Sequence, residues 1–175
     1  FFSTIVAPLD NQGLLVARGS SAINGVLTTA TGSTLRLEAD AFCCGSFLTV
    51  ATGFINSGLI ELTAVNATGT TAQLTVTAGT LVNAAGGTIS SLAGAGGART
   101  LAAELNNLGL VTVSQALTLG RASAVHSNGA TLNVSGGDLT ISQSGTTPSF
   151  TNTATLTVGV GRTLTVSGGS FTQQT

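Results

Sequence analysis

The sequence contains no Lys, Met, Trp or Tyr, a single His, two Cys and two Pro, and only 6% of its 175 residues are charged. With five Arg as the whole basic complement, it has no patch able to neutralise a row of phosphates, which excludes nucleic acid as a partner. One His has no His partner for a metal centre, no GxSxG elbow is present, and Asp10, Glu38, Asp40, Glu61, Glu104 and Asp138 are scattered rather than clustered. These absences argue for no catalytic residues, no metal, no cofactor and no enzyme. No apolar run approaches the roughly 18 residues of a membrane span, so the chain is not expected to cross a bilayer. The missing initiator Met and basic leader suggest a processed product or a fragment.

An ordinary soluble domain is roughly 25% charged. Here the mean hydropathy is +0.49 and the net charge is −1, so charge does not keep the surface in water. Either Thr, Ser, Asn and Ala do so, or neighbouring molecules cover part of the surface.

What is present is alternation of period two, rich in β-branched residues and punctuated by Gly and Asn. The one stretch with helical character is Ala98 to Leu105. A unit recurs along the chain: an apolar residue, Asn two later, Gly or Ala two later, then two more apolar residues at alternate positions, all on one face of a strand. Its best copies are Leu9-Asn11-Gly13-Leu15-Ala17, Phe54-Asn56-Gly58-Ile60-Leu62, Leu105-Asn107-Gly109-Val111-Val113 and Phe150-Asn152-Ala154-Leu156-Val158. Leu81-Asn83-Ala85-Gly87-Ile89 and His126-Asn128-Ala130-Leu132-Val134 are weaker copies, and a faint one runs through Thr31, Ser33, Leu35 and Leu37. The asparagines are 45, 27, 24, 21 and 24 residues apart. With the first gap counted as two units the period is about 23 residues, the length of one coil of a solenoid. About seven coils, at roughly 4.8 Å each, give a rod about 35 Å long.

FTNTATLTVGVGRTLTVSGGSF (150–171), HSNGATLNVSGG (126–137) and LNNLGLVTV (105–113) resemble the right-handed parallel β-helix repeats of secreted bacterial adhesins of the filamentous-haemagglutinin type. That resemblance implies an extracellular or cell-surface location and a stalk, adhesive surface or fibre component. The fold expected is therefore all-β, a right-handed parallel β-helix. A pilin-like β-sandwich is the alternative, although it leaves the Asn spacing unexplained.

Two domain segments are expected: 1–9, an apolar strand-like segment available to another subunit, and 10–175, a single solenoid. Asn11, Asn56, Asn83, Asn107, Asn128 and Asn152 are expected to stack as a structural ladder, with a row of glycan contacts as the alternative. Cys43 and Cys44 are neighbours, which leaves a strained disulfide, two thiols or a cross-link to another subunit open. Glu38 and Asp40 beside Arg36 read as a solvated ion-paired face rather than an acid-base pair. Thr-x-Thr pairs at Thr75, Thr155 and Thr163 raise an ice- or glycan-binding face as the alternative function. The leading expectation is a structural subunit assembling through its strand ends, with Phe1, Phe2, Ile5, Val6 and Leu9 as the interface. Its partners would be copies of itself or the rest of a longer surface protein, with glycans as the alternative partner.

Overall fold

The computed structural model describes residues 2–66 and 69–174, the side chain of Phe2 excepted. Phe1, one of the expected interface residues, lies outside the described residues. Twenty-one strands and no α-helix occur among the described residues. They wind as a three-sided parallel solenoid.

The first coil is β1 (Phe2–Ile5), β2 (Leu9–Asn11) and β3 (Leu14–Ala17), one strand for each side. The second is β4 (Gly19–Ile23), β5 (Leu27–Thr29) and β6 (Thr34–Asp40). The third is β7 (Ser46–Thr52), β8 (Ile55–Asn56) and β9 (Leu59–Val65). In the fourth and fifth coils the first two sides merge into one long strand. They are β10 (Ala72–Asn83) with β11 (Thr88–Ser91), and β12 (Arg99–Asn107) with β13 (Leu110–Val113). The sixth comprises β14 (Leu117–Leu119), β15 (Val125–Asn128) and β16 (Thr131–Val134). The seventh comprises β17 (Leu139–Ser142), β18 (Ser149–Asn152) and β19 (Thr155–Val158). An eighth begins with β20 (Leu164–Ser167) and β21 (Ser170–Gln173).

Every ladder between these strands is parallel and joins one coil to the next. A sandwich of antiparallel sheets would show the opposite sense. Over the described part of segment 1–9, β1 pairs in register with β4 and Leu9 opens β2. Arg99–Asn107 is strand and not the helix suggested by Ala98 to Leu105. Its residues alternate strictly between buried and half-buried, and burial of Arg99, Leu101, Ala103 and Leu105 on one side overrides the helix propensity of Leu, Ala and Glu.

The core is a set of columns running along the rod. One column on the second side reads Leu27, Phe54, Leu81, Leu105, His126 and Phe150, all buried. On the third side Leu35, Ile60, Ile89, Val111 and Leu132 form another. The corner between these sides explains the Gly of the repeat. A Cβ on Gly109 would stand 2.3 Å from the carbonyl oxygens of Ala84 and Gly87 in the coil below, so only Gly lets the backbones approach.

The second and fourth coils carry two extra residues at this corner. Thr34 follows an Ala30–Ser33 turn in the second, and Thr88 follows an Ala84–Gly87 turn in the fourth. The extra turn moves the faint second copy: Thr29, not Thr31, stands in the Asn position, in register with Asn56. Likewise Gly87, not Ala85, takes the Gly position of the fourth coil, beside Asn56 O and Asn83 Oδ1.

Candidate functional site

The corner residue ends every strand of the second side, so successive coils bring the six asparagines into one line. Asn56 Nδ2 donates to Asn83 Oδ1 at 2.9 Å, and Asn83 Nδ2 to Asn107 Oδ1 at 2.8 Å. Asn107 donates to Asn128 at 2.6 Å, Asn128 donates to Asn152, and Asn152 to Gln173 Oε1 at 2.7 Å. The Thr29 hydroxyl begins the run by donating to Asn56 Oδ1 at 3.0 Å. Each amide N–H2 points toward the next coil, and its second hydrogen goes to backbone, as with Asn83 to Leu110 O and Asn107 to Thr131 O. Asn11 stands apart, holding Thr34 O at 3.0 Å. Asn56, Asn83, Asn107 and Asn152 are fully buried, so the row is closed to a glycan. It meets the demand that buried polar groups be paired. Thr29 and Gln173 are the members that an Asn pattern does not reveal.

His126 fills an aromatic slot of the core. Its ring centroid is 6.3 Å from that of Phe150, which stacks on Phe171 at 5.6 Å. Nδ1 accepts the Leu105 amide at 3.2 Å, and Nε2 is buried without a partner. Burial pulls its pKa from 6.5 to about 4, although Glu104 acts in the opposite sense. The unfolded chain therefore binds more protons than the folded one between those values. Stability should be fully present above pH 6.5 and fall as the pH drops toward 4, by about 3 kcal/mol in all. Urea titrations across that range should show the loss in the wild type and its near-absence in His126→Phe. A wild type with flat stability from pH 7 to 4 would contradict this placement.

Glu104 lies on the outer face of the preceding coil, in β12. Burial opposes its ionisation, but the Thr80 hydroxyl at 2.6 Å, the Val125 amide at 3.0 Å and Arg121 outweigh it and hold the carboxyl below its usual range. Arg121 also donates to Gly79 O at 2.6 Å and to Val76 O, clasping the fourth coil from the sixth. Arg36 bonds Glu61 at 2.6 Å and Arg18 bonds Glu38, forming a chain of ion pairs across the third side. Glu38 is buried beneath the two guanidiniums rather than solvated. Asp40 lies apart: the Asn66 amide and then the Phe42 backbone N–H lower its pKa. Among the described residues no group of His, Cys, Asp and Glu is placed to hold a metal ion.

Arg99 is the functional-looking residue that the sequence pattern concealed. It points into the core at the position held by Ala72, Leu117 and Leu139 in other coils, and is 1% exposed. It has no carboxylate partner among the described residues; its nitrogens donate to the carbonyls of Leu62, Leu92, Thr70, Ala98 and Ala93 at 3.1–3.4 Å. Desolvation lowers its pKa. Strict alternation from Leu101, Ala103 and Leu105 back to residue 99 was the available signal.

Cys43 and Cys44 are bonded to each other in the exposed turn after β6, where the amides of Cys43 and Cys44 donate to Asp40 O. The Thr-x-Thr pairs do not form one surface. Thr75 and Thr165 face outward from the first side, whereas Thr155 and Thr157 lie on the third. The longest register of threonines is Thr100, Thr118, Thr140 and Thr165. It continues toward the N-terminal end as Gln73, Phe47 and Ser20.

The two ends differ from everything between them. At the C-terminal end, β19, β20 and β21 each have one unpaired edge, and the inward residues Leu156, Leu164 and Val166 are only half-buried. Val158 and Phe171 are each 40% exposed, whereas the equivalent Val134 and Phe150 are buried. At the N-terminal end, β1, β2 and β3 have the open edges, and a cavity of about 530 Å³ opens among Ile5, Leu15, Ala17, Ser21, Ile23 and Leu48. Of the expected interface residues, Ile5 and Leu9 are half-buried at this end and Val6 is exposed at the turn between β1 and β2.

No family model matches the chain, and no curated protein or solved structure is significantly similar to it. Among the described residues no helix is long and apolar enough to cross a membrane.

Proposed function

We propose that the chain is a non-enzymatic structural segment of an extracellular fibre or surface adhesin, joined to its neighbours through the ends of the coil. The observation that carries this reading is the contrast between sides and ends. Along the sides every strand is paired and the core columns are closed, while both ends leave strand edges and apolar residues uncovered. Unpaired edges and open core are what a solenoid covers with caps or further coils. The resemblance of the repeats to β-helical adhesins supports the extracellular setting, as does the bonded cysteine pair, a state that oxidising compartments maintain. The column of four threonines favours the second reading, an ice- or glycan-binding side, but its passage into Gln73 and Phe47 breaks the surface that such a side requires.

The test is to lengthen the rod. Appending a second copy of residues 153–173 after Gln173 supplies one more turn in the existing register. Amide hydrogen exchange should then slow in β19–β21, with the fast-exchanging end moved to the added turn. Unchanged exchange in β19–β21 would count against the ends as coil-accepting surfaces.

A further inference from the structure

The two open ends are not alike, and their differences are complementary. At the C-terminal end Val166 continues the column Leu74, Leu101, Leu119 and Ile141 and stands half-exposed. Toward the N-terminal end the same column passes through Leu48 and then falls to Ser21 and Ser3. The loss of side-chain volume there leaves the cavity of about 530 Å³. One end of the rod is thus filled out with apolar side chains and the other is hollow.

Direction is fixed by two further features. All ladders are parallel, so a strand added at either end keeps that sense only if the C-terminal end of one rod meets the N-terminal end of another. The amide ladder also has a polarity, because each N–H2 donates toward the C-terminal neighbour. Gln173 Nε2 bonds only Gln174 O, which leaves one hydrogen for a further acceptor. Asn11 Oδ1 takes only the Gly13 amide at 3.3 Å, where later members accept from the coil below. A donor therefore closes one end and an acceptor opens the other.

We propose that the occupant of each end is a second copy of this chain, stacked head to tail with its sides in phase, a proposal that rests on the structural reading above. β20 of one copy pairs with β1 of the next and β21 with β2, placing Val166 over the hollow and Gln173 against Asn11. The first and second sides carry eight strands each and the third carries seven, so the seam leaves a notch one strand wide above β19. This interface is heterologous, and head-to-tail contacts that do not close into a ring propagate as filaments.

The experiment uses one blocking substitution at each end, Val166→Lys and Ser21→Lys, with Phe171→Lys and Ile5→Lys as replacements should either fail to fold by circular dichroism. Sedimentation velocity of the wild type should show a concentration-dependent series of lengthening oligomers. Each blocked variant alone should remain a monomer, and an equimolar mixture should give a dimer and nothing longer. A wild type that is monomeric to about 1 mM, or oligomers that survive both substitutions, would overturn the proposal. If the wild type is monomeric but the lengthened chain gains exchange protection, self-stacking is wrong and the coil-accepting ends stand. If both results are negative, both readings fall.

Discussion

Asn107→Leu is expected to lower the stability of the chain by about 4 kcal/mol. Asn107 is fully buried at the middle of the ladder, where it accepts from Asn83 and the Gly109 amide and donates to Asn128 and Thr131 O. Leucine has similar volume but makes none of these bonds. A buried polar group left unpaired costs about 1–3 kcal/mol, and part of that is recovered where Asn83 keeps Leu110 O. Asn107→Asp discriminates further. Its carboxylate accepts from Asn83 but cannot donate to Asn128, and a buried charge without a counter-ion raises its own pKa. Acidification should therefore lessen the deficit of the Asp variant relative to wild type, and should leave that of the Leu variant unchanged. Equilibrium urea unfolding at pH 7 and pH 5 measures both; a loss below about 1 kcal/mol for Asn107→Leu would mean that water replaces the ladder.

Arg99→Leu is expected to cost about 3 kcal/mol despite placing in the core the residue that Leu117 and Leu139 already provide there. The desolvation of the guanidinium is relieved, which favours the variant. Against this, the carbonyls of Leu92 and Thr70 are left without a donor, while those of Leu62, Ala93 and Ala98 keep the backbone amides of Leu92, Gly96 and Ala72 but lose the link by which the side chain ties consecutive coils together. The second effect dominates because two buried acceptors are stranded and three more lose a charge-assisted bond in one step. For a chain of this length the loss corresponds to a fall of about 6–12 °C in Tm. Arg99→Lys should recover part of it, since an ammonium supplies three donors on a shorter reach. A Leu variant as stable as the wild type would show that solvent already satisfies these turns.

The solenoid was legible because its signal is repeated. Leu-x-Asn-x-Gly-x-Val-x-Val at 105–113 carries the inward face, the ladder rung and the close-packed corner in nine residues, and the spacing of the rungs gives the coil. What escaped the sequence depends on single departures from the repeat. Two added residues at the second corner hid Thr29 as a rung, and Arg99 occupies an apolar slot without altering the alternation around it. The Ala98–Leu105 stretch misleads for a related reason: Ala, Leu and Glu favour a helix locally, and only the neighbouring coils reveal that alternate burial is worth more. The ends were legible as apolar sequence, but the hollow at one and the protruding Val166 and Phe171 at the other require the register of eight successive strands.

If the ends of the rod rather than its sides are where this chain meets its neighbours, hydrogen exchange on the lengthened chain will report it. In the chain diluted until it is monomeric, amides of β19–β21 should exchange faster than those of β10–β13, because stability in a stacked coil comes from neighbours on both sides. With residues 153–173 repeated after Gln173, the original β19–β21 should become as protected as β16–β18, and the added turn should exchange fastest. Fast exchange persisting in β19–β21 beneath an added turn, or protection already equal along the unmodified monomer, would rule this reading out.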